Sequence, residues 1–298
     1  MGHGCGKVIL LGEHAVVHGV PAIAAGIDRG ADAEVDRATD TELSIGEVRV
    51  IPGDGSELGR ALSALLAELG AGSVSVRATT CLPVGCGLGS SAALAVAIAR
   101  AVQALDGDAS SERTLAAATA WERVFHGNPS GIDTAAAAQG GCIWFTKASG
   151  PEPLRLGLPF TLAVAVAGPA ASTRSMVESV ARIAERRPEV FQKSLAGIEA
   201  LVKNARIALE AGDLTGLGRL MDLNQMLLSG LMVSTEEIEF ACRLARSAGA
   251  LGAKLTGAGG GGCVIALVES DPEPVLAAWR AQGLTCFSTH VGAKKESP

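Results

Sequence analysis

The sequence predicts an α+β chain in two domains, 1–155 and 156–298. Three observations point there. With 298 residues and 48% hydrophobic content, the chain can bury a substantial core, and its length suits two domains or one large one. Short β-branched and aliphatic runs alternate with helical apolar periodicities in both halves. Between the halves, Ser149-Gly150-Pro151-Glu152-Pro153 gathers turn and breaker residues in one linker-like run, placing a boundary near residues 150 to 160.

Lys7-Val8-Ile9-Leu10-Leu11 reads as a strand, Gly12-Glu13-His14 as a turn, and Ala15 to Val17 as a second strand. Val20 to Ala25, Ala33 to Asp36 and Leu43 to Ile45 read as strands with polar turns between them, with a hairpin or loop over 46–57. Leu58, Leu62, Leu65, Leu66 and Leu69 mark a helix closed by Gly70. The strand Val74 to Ala78 leads into Pro83-Val84-Gly85-Cys86-Gly87-Leu88-Gly89-Ser90-Ser91, after which Leu94, Ile98, Val102 and Leu105 fall at helical spacing. Arg113 to Phe125 forms a further helix with Leu115, Ala118, Trp121 and Phe125 on one face. His126 to Asp133 is a compact loop of turn residues, and Ser130 with Asp133 has the spacing of a capping box for a helix at Ala135 to Ala138. Cys142 to Phe145 closes the first half as a strand. The second half reads as a strand at Phe160 to Ala167, helices at about 176–186, 189–211, 213–229 and 234–248, a glycine loop from Lys254 to Cys263, then strand, helix, strand at Val264 to Val268, Pro274 to Ala281 and Leu284 to His290.

Composition excludes several function classes. A net charge of −6, with both signs interspersed, leaves no electrostatic footprint for nucleic acid or an anionic membrane, so small-molecule partners are expected. Seven scattered cysteines with no C-x-x-C pair indicate neither a disulfide framework nor a zinc site, and read as small buried residues in a reducing cytoplasm. Residues 78 to 99 are uncharged over a bilayer's length, but Pro83, three glycines and two serines argue against a span. The one N-x-S sequence, Asn128-Pro129-Ser130, carries the forbidden proline.

The loop from Pro83 has the chemistry of a phosphate cradle. Its glycines allow close backbone approach, and the helix that follows offers unpaired N–H groups and the positive end of a dipole. A plain turn with Ser90 as N-cap is the alternative. The loop is not a Walker A motif, since Gly6-Lys7 has no Ser or Thr after it, and it is not read as a dinucleotide fingerprint. The G-x-G-x-x-G at Gly257, Gly259 and Gly262 precedes a strand-like run instead of a helix and fails the same context; its glycines suggest close backbone packing against a neighbour such as the first loop. The inventory also holds two hydroxyls (Ser90, Ser91), two separated carboxylates (Glu122, Asp133) and Lys7. Phosphoryl transfer needs such parts: a hard cation takes a hydroxyl and a carboxylate, the second carboxylate serves the acceptor alcohol, and a lysine partners it.

Lys7 to Gly19 (KVILLGEHAVVHG), Pro83 to Ala93 (PVGCGLGSSAA), Glu122 to Asp133 (ERVFHGNPSGID) and Lys254 to Cys263 (KLTGAGGGGC) resemble, in order, the signature segments of the GHMP kinase superfamily, and within it most closely the mevalonate kinases. The resemblance implies a fold with an N-terminal domain like ribosomal protein S5 domain 2, a C-terminal ferredoxin-like α/β sandwich, and an active site in the cleft between them. It implies ATP on Pro83, Gly85, Gly87, Leu88, Gly89, Ser90, Ser91 and Ala92, Mg²⁺ on Ser91 and Glu122, Asp133 as catalytic base and Lys7 as its cationic partner. Glu13, His14, Thr173 and Gly259 fall to the substrate side. The implied reaction is phosphorylation of the primary hydroxyl of mevalonate, with phosphomevalonate as the rival substrate and a non-catalytic ATP sensor as the rival class. At family level the resemblance also suggests a homodimer.

Overall fold

Gly2, Gly4 and Gly6 alternate along the first strand, β1 (Gly2–Leu11), and the helix α2 (Ser90–Leu105) that meets it is rich in alanine. A Cβ on Gly4 would fall inside contact distance of the Ala93 carbonyl, so the strand must be bare there for the helix to lie against it. Arg100 reinforces the join, donating to the His3 carbonyl at 2.7 Å and to that of Ala138. The computed structural model describes residues 1–292 except Val84, Asn128 and Ala170. Val84 of the first glycine loop and Asn128 of the N-x-S sequence therefore lie outside the described residues.

The chain forms two compact units. One comprises Met1–Lys7, Arg29–Pro83 and Gly89–Gly140; the other comprises Val8–Asp28, the segment 84–88 and everything from Gly141 on. In the first, the end of β2 (Ala22–Arg37) pairs antiparallel with β5 (Val74–Thr80), running from Ala31 opposite Thr80 to Arg37 opposite Val74. Beyond β5 lie β3 (Glu42–Ile45), parallel to it, and β4 (Val48–Val50). Four helices cover these strands: α1 (Glu57–Leu69), capped by Ser56 and closed by Gly70, then α2, α3 (Ser111–His126) and α4 (Ile132–Gln139). Leu62, Leu65, Val76, Ile98 and Trp121 fill the space between them.

In the second unit, the start of β2 pairs with β6 (Cys142–Thr146), which pairs with β7 (Gly150–Pro153). A four-stranded antiparallel sheet runs in the order β11 (Cys286–Val291), β8 (Phe160–Gly168), β10 (Gly262–Val268), β9 (Gly252–Thr256). Every residue of β9 and β10 is buried, the mark of a sheet covered on both faces. Its helices are α5 (Thr173–Arg186), α6 (Pro188–Ala211), α7 (Leu214–Gly230), α8 (Glu236–Ser247) and α9 (Glu273–Ala281). Trp279 of α9 is buried and donates its indole N–H to the Ala241 carbonyl at 2.9 Å.

Three expectations are corrected. Ala15–His18 is a short 3-10 turn instead of a strand, because Gly12 and His14 adopt positive φ and the Val16 N–H turns back onto the Gly12 carbonyl. The strands expected at Val20 to Ala25 and Ala33 to Asp36 are one continuous β2, in which Gly26 and Gly30 do not break the ladder. The linker-like run Gly150–Pro153 is a strand, with its prolines on the outer edge of the sheet where no donor is needed. Among the described residues no helix is long and apolar enough to cross a membrane, and the cysteines are all free thiols.

Candidate active site

In the first unit, the glycine loop ends at Gly89, which takes the left-handed φ of 72° and N-caps α2 without a side-chain hydrogen bond. Ser90 is therefore the first residue of the helix and not its cap, and no side chain caps the first turn among the described residues. Its backbone N–H groups are available to an anion. A Cβ on Gly89 would stand 2.7 Å from Lys7 Cγ, so the lysine stem occupies the room that glycine leaves.

That stem brings the Lys7 ammonium to 3.0 Å from Asp133 Oδ1. Lys7 is 3% exposed and Asp133 39%, so the cation is enclosed while the carboxylate keeps one side open. A buried ammonium without an anion is costly, and Asp133 supplies it. The capping-box reading of Asp133 fails, because α4 is capped by the Gly131 backbone with no side-chain bond. Instead the first turn of α4 presents Asp133 to Lys7.

At the second residue of α2, Ser91 donates to Glu122 Oε1 at 2.5 Å and accepts from the Trp121 indole at 3.1 Å. Glu122 is buried at 3% exposure, with His126 Nε2 3.5 Å from its other oxygen. Desolvation lifts the Glu122 pKa above the ordinary carboxylate range, and the neighbouring Asp133 charge adds to it. The Ser91 bond and the His126 and Lys7 charges oppose the rise. No group of three or more His, Cys, Asp or Glu side chains suited to a metal occurs among the described residues. A cation at Ser91 and Glu122 would thus rest on two hard protein oxygens, which suits an ion that keeps waters and shares phosphate oxygens, as Mg²⁺ does.

The sign of that shift has a measurable consequence. A carboxylate whose folded pKa is raised favours the folded state only while protonated, and this contribution is lost as pH rises through the raised value. Glu122→Gln is therefore expected to raise the melting temperature of the unliganded protein at neutral pH, by about 2 °C per kcal/mol recovered, and the gap should close toward pH 4. Melting curves of both proteins across that range test it. A gap independent of pH would mean that Glu122 carries no such penalty.

In the second unit, Glu13 and His14 follow β1 after Gly12. Glu13 is 1% exposed, ion-paired with Lys254 and holding the Asn224 amide at 3.2 Å, so its carboxylate faces protein and not solvent. Burial raises its pKa and Lys254 pulls it back. His14, at φ 60°, donates from Nε2 to the Ala258 carbonyl at 2.7 Å. Desolvation lowers its pKa, and the neutral ring with Nε2 protonated leaves Nδ1 as an acceptor. A polar pocket is lined by Gly85, Gly87, Thr173, Thr256, Ala258 and Gly259, bringing the first glycine loop, the start of α5 and the second glycine loop to one place. The expected packing of the two loops is present: a Cβ on Gly87 would stand 3.3 Å from the Thr256 carbonyl. Of the remaining expected residues, Leu88 and Ala92 bury their side chains and could meet a ligand only through backbone, while Pro83 is half-buried.

The described family GHMP kinases N terminal domain matches residues 57–141, and GHMP kinases C terminal matches 205–284. A mevalonate kinase of Aeropyrum pernix is 38% identical, the match covering 98% of this chain and 96% of the relative. The chain belongs to the GHMP kinase family. The crystal structure of an L. major mevalonate kinase in complex with R-mevalonate superposes with a TM-score of 0.87 at 31% identity, covering 98% of this chain and 96% of that one. The two-domain α+β fold expected from the sequence is thus the fold of this family. A phosphomevalonate kinase of Streptococcus pneumoniae, in complex with phosphomevalonate and AMPPNP, shares the fold at 19% identity, with a TM-score of 0.78 over 97% of this chain and 99% of that one.

This GHMP kinase holds functional groups that residue patterns did not single out. His126 lies one helical turn beyond Glu122, so the i, i+4 spacing carried a signal for their pairing. Trp121 read as a core residue, and its indole N–H gave no hint of Ser91. Lys254 and Asn224 stand 241 and 211 positions from Glu13, and no local pattern joins them to it.

Proposed function

We propose that this chain is an ATP- and Mg²⁺-dependent kinase that phosphorylates the primary 5-hydroxyl of mevalonate. The observation that carries the reading is the pair of Asp133 with an enclosed Lys7 beside the uncapped start of α2, in a chain 38% identical to a mevalonate kinase over nearly its whole length. Asp133, open on one side, accepts the proton of the hydroxyl as its oxygen attacks the γ-phosphorus, and the bond from that phosphorus to the departing ADP breaks. Lys7 holds the Asp133 carboxylate in place and offsets the negative charge gathering nearby. The α2 N-terminus and the backbone of Gly85, Gly87 and Gly89 receive the phosphates. Ser91 and Glu122 would hold Mg²⁺, which when bound neutralises charge on the phosphate oxygens. His14, Thr173 and Gly259 form the alcohol side, with Glu13 behind His14. The domains are read as 1–155 and 156–298, and the two family matches fall on either side of that division.

A non-catalytic nucleotide sensor on this fold would be expected to have lost the base, the cation or the metal ligand. Lys7, Glu122 and Asp133 are all present. The test is ADP release measured by a coupled assay against mevalonate, phosphomevalonate, galactose and homoserine. Turnover confined to mevalonate is expected. Turnover of phosphomevalonate alone would move the assignment to that substrate, and none with any alcohol would favour the sensor.

A further inference from the structure

Around Glu13 stand side chains that the proposed chemistry does not use. Lys254 of β9 is completely buried, and its Nζ donates to the Glu13 carboxylate and to the Leu255 carbonyl at 2.6 Å. Asn224 of α7, also completely buried, gives its amide N–H to the second Glu13 oxygen, while its own Oδ1 has no hydrogen-bond partner among the described residues. Gln225, next along α7, accepts the Leu255 N–H at 2.9 Å and donates to Ser234 and Glu239 at 2.9 Å each. One helix thus grips both β9 and the turn that follows β1.

Stability alone is a poor reason for such a cluster. A buried ion pair is often no better for stability than apolar residues of similar volume, and an orphaned amide oxygen is a further cost. What the cluster does fix is register. Glu13 precedes His14, whose positive φ is unusual for a residue other than glycine, and whose imidazole reaches Ala258, four residues past Lys254 and next to Gly259. Two cross-links, Glu13 to Lys254 and His14 to Ala258, therefore join the same two segments. The far side of the glycine loop is held by the Gly260 N–H on the Val233 carbonyl at 2.8 Å and the Ala171 N–H on the Gly260 carbonyl at 3.1 Å. The charged link at the neighbouring residue therefore opposes a shift of His14 against Ala258.

We propose that Lys254 and Asn224 are positioning residues for the alcohol substrate, acting through Glu13 to set His14 against the Ala258–Gly259 segment. This rests on the reading of His14 and Gly259 as the alcohol side.

The double variant Glu13→Gln with Lys254→Met removes the charges together, and Asn224→Leu removes the amide donor at similar volume. Both are checked for folding by melting curves. Each is expected to raise the KM for mevalonate on the order of tenfold, with the KM for ATP within about twofold. The swapped pair, Glu13→Lys with Lys254→Glu, restores the link and is expected to recover part of the loss. An unchanged mevalonate KM in the folded variants, or both KM values rising together, would overturn the proposal. A readout independent of substrate is the ¹⁵N spectrum of His14. Wild type is expected as the Nε2–H tautomer and the double variant as a mixture, and retention of the wild-type spectrum also counts against the role. Should wild type turn over no mevalonate, the functional reading fails while the spectrum still decides whether the cluster sets His14.

Discussion

Asp133→Asn is expected to lower kcat by about 10²- to 10⁴-fold while ATP still binds. The amide keeps the shape of the carboxylate but cannot take a proton from the alcohol, so the loss should fall on the chemical step. Nucleotide affinity should change little, because the groups read as the phosphate cradle are backbone N–H groups at the α2 N-terminus and the glycine loop. Stability should fall as well, by about 1–3 kcal/mol, since Lys7 is almost fully enclosed and would lose the anion that offsets its burial. Steady-state rates and equilibrium binding of a non-hydrolysable ATP analogue check both parts. A kcat within tenfold of wild type would remove Asp133 from the base role.

Lys7→Met is expected to cost about 10²- to 10³-fold in kcat with a smaller loss of stability than Asp133→Asn. The methionine fills most of the channel that the lysine stem occupies over Gly89, so packing is largely kept. The carboxylate left behind is 39% exposed and can turn to water, whereas the cation stranded by the reciprocal change cannot. The two variants should therefore rank in opposite senses from a symmetric ion pair, with Asp133→Asn melting at the lower temperature. Equal melting temperatures would show that the enclosure of Lys7 carries little energetic weight.

Much of this was legible in the sequence because phosphate chemistry depends on residue types in short segments. Gly89, Ser91, Glu122 and Asp133 sit within two such segments, and the helices that carry Ser91 and Glu122 were signalled by apolar spacing to within a few residues, whereas the first turn of α4, which carries Asp133, was read as loop. Strand continuity was less legible. Gly26 and Gly30 look like breakers, yet the 16 residues of β2 run through them, and Gly30 is where β1 comes too close for a side chain. Ala15–His18 has the composition of a strand and becomes a 3-10 turn through the dihedrals of Gly12 and His14, which hydrophobic pattern does not encode. The enclosure of Glu13 was invisible for a different reason: its partners come from a helix and a strand more than two hundred residues away, and only tertiary packing selects them.

The bonding at Ser91 leads to a matter of valence. A hydroxyl oxygen offers one proton and two lone pairs. Glu122 takes the proton and the Trp121 indole takes a lone pair, which leaves room for a single additional electrophile. Under the proposed reading, a cation held at Ser91 would have that one lone pair to use, a limit set in part by the Trp121 indole.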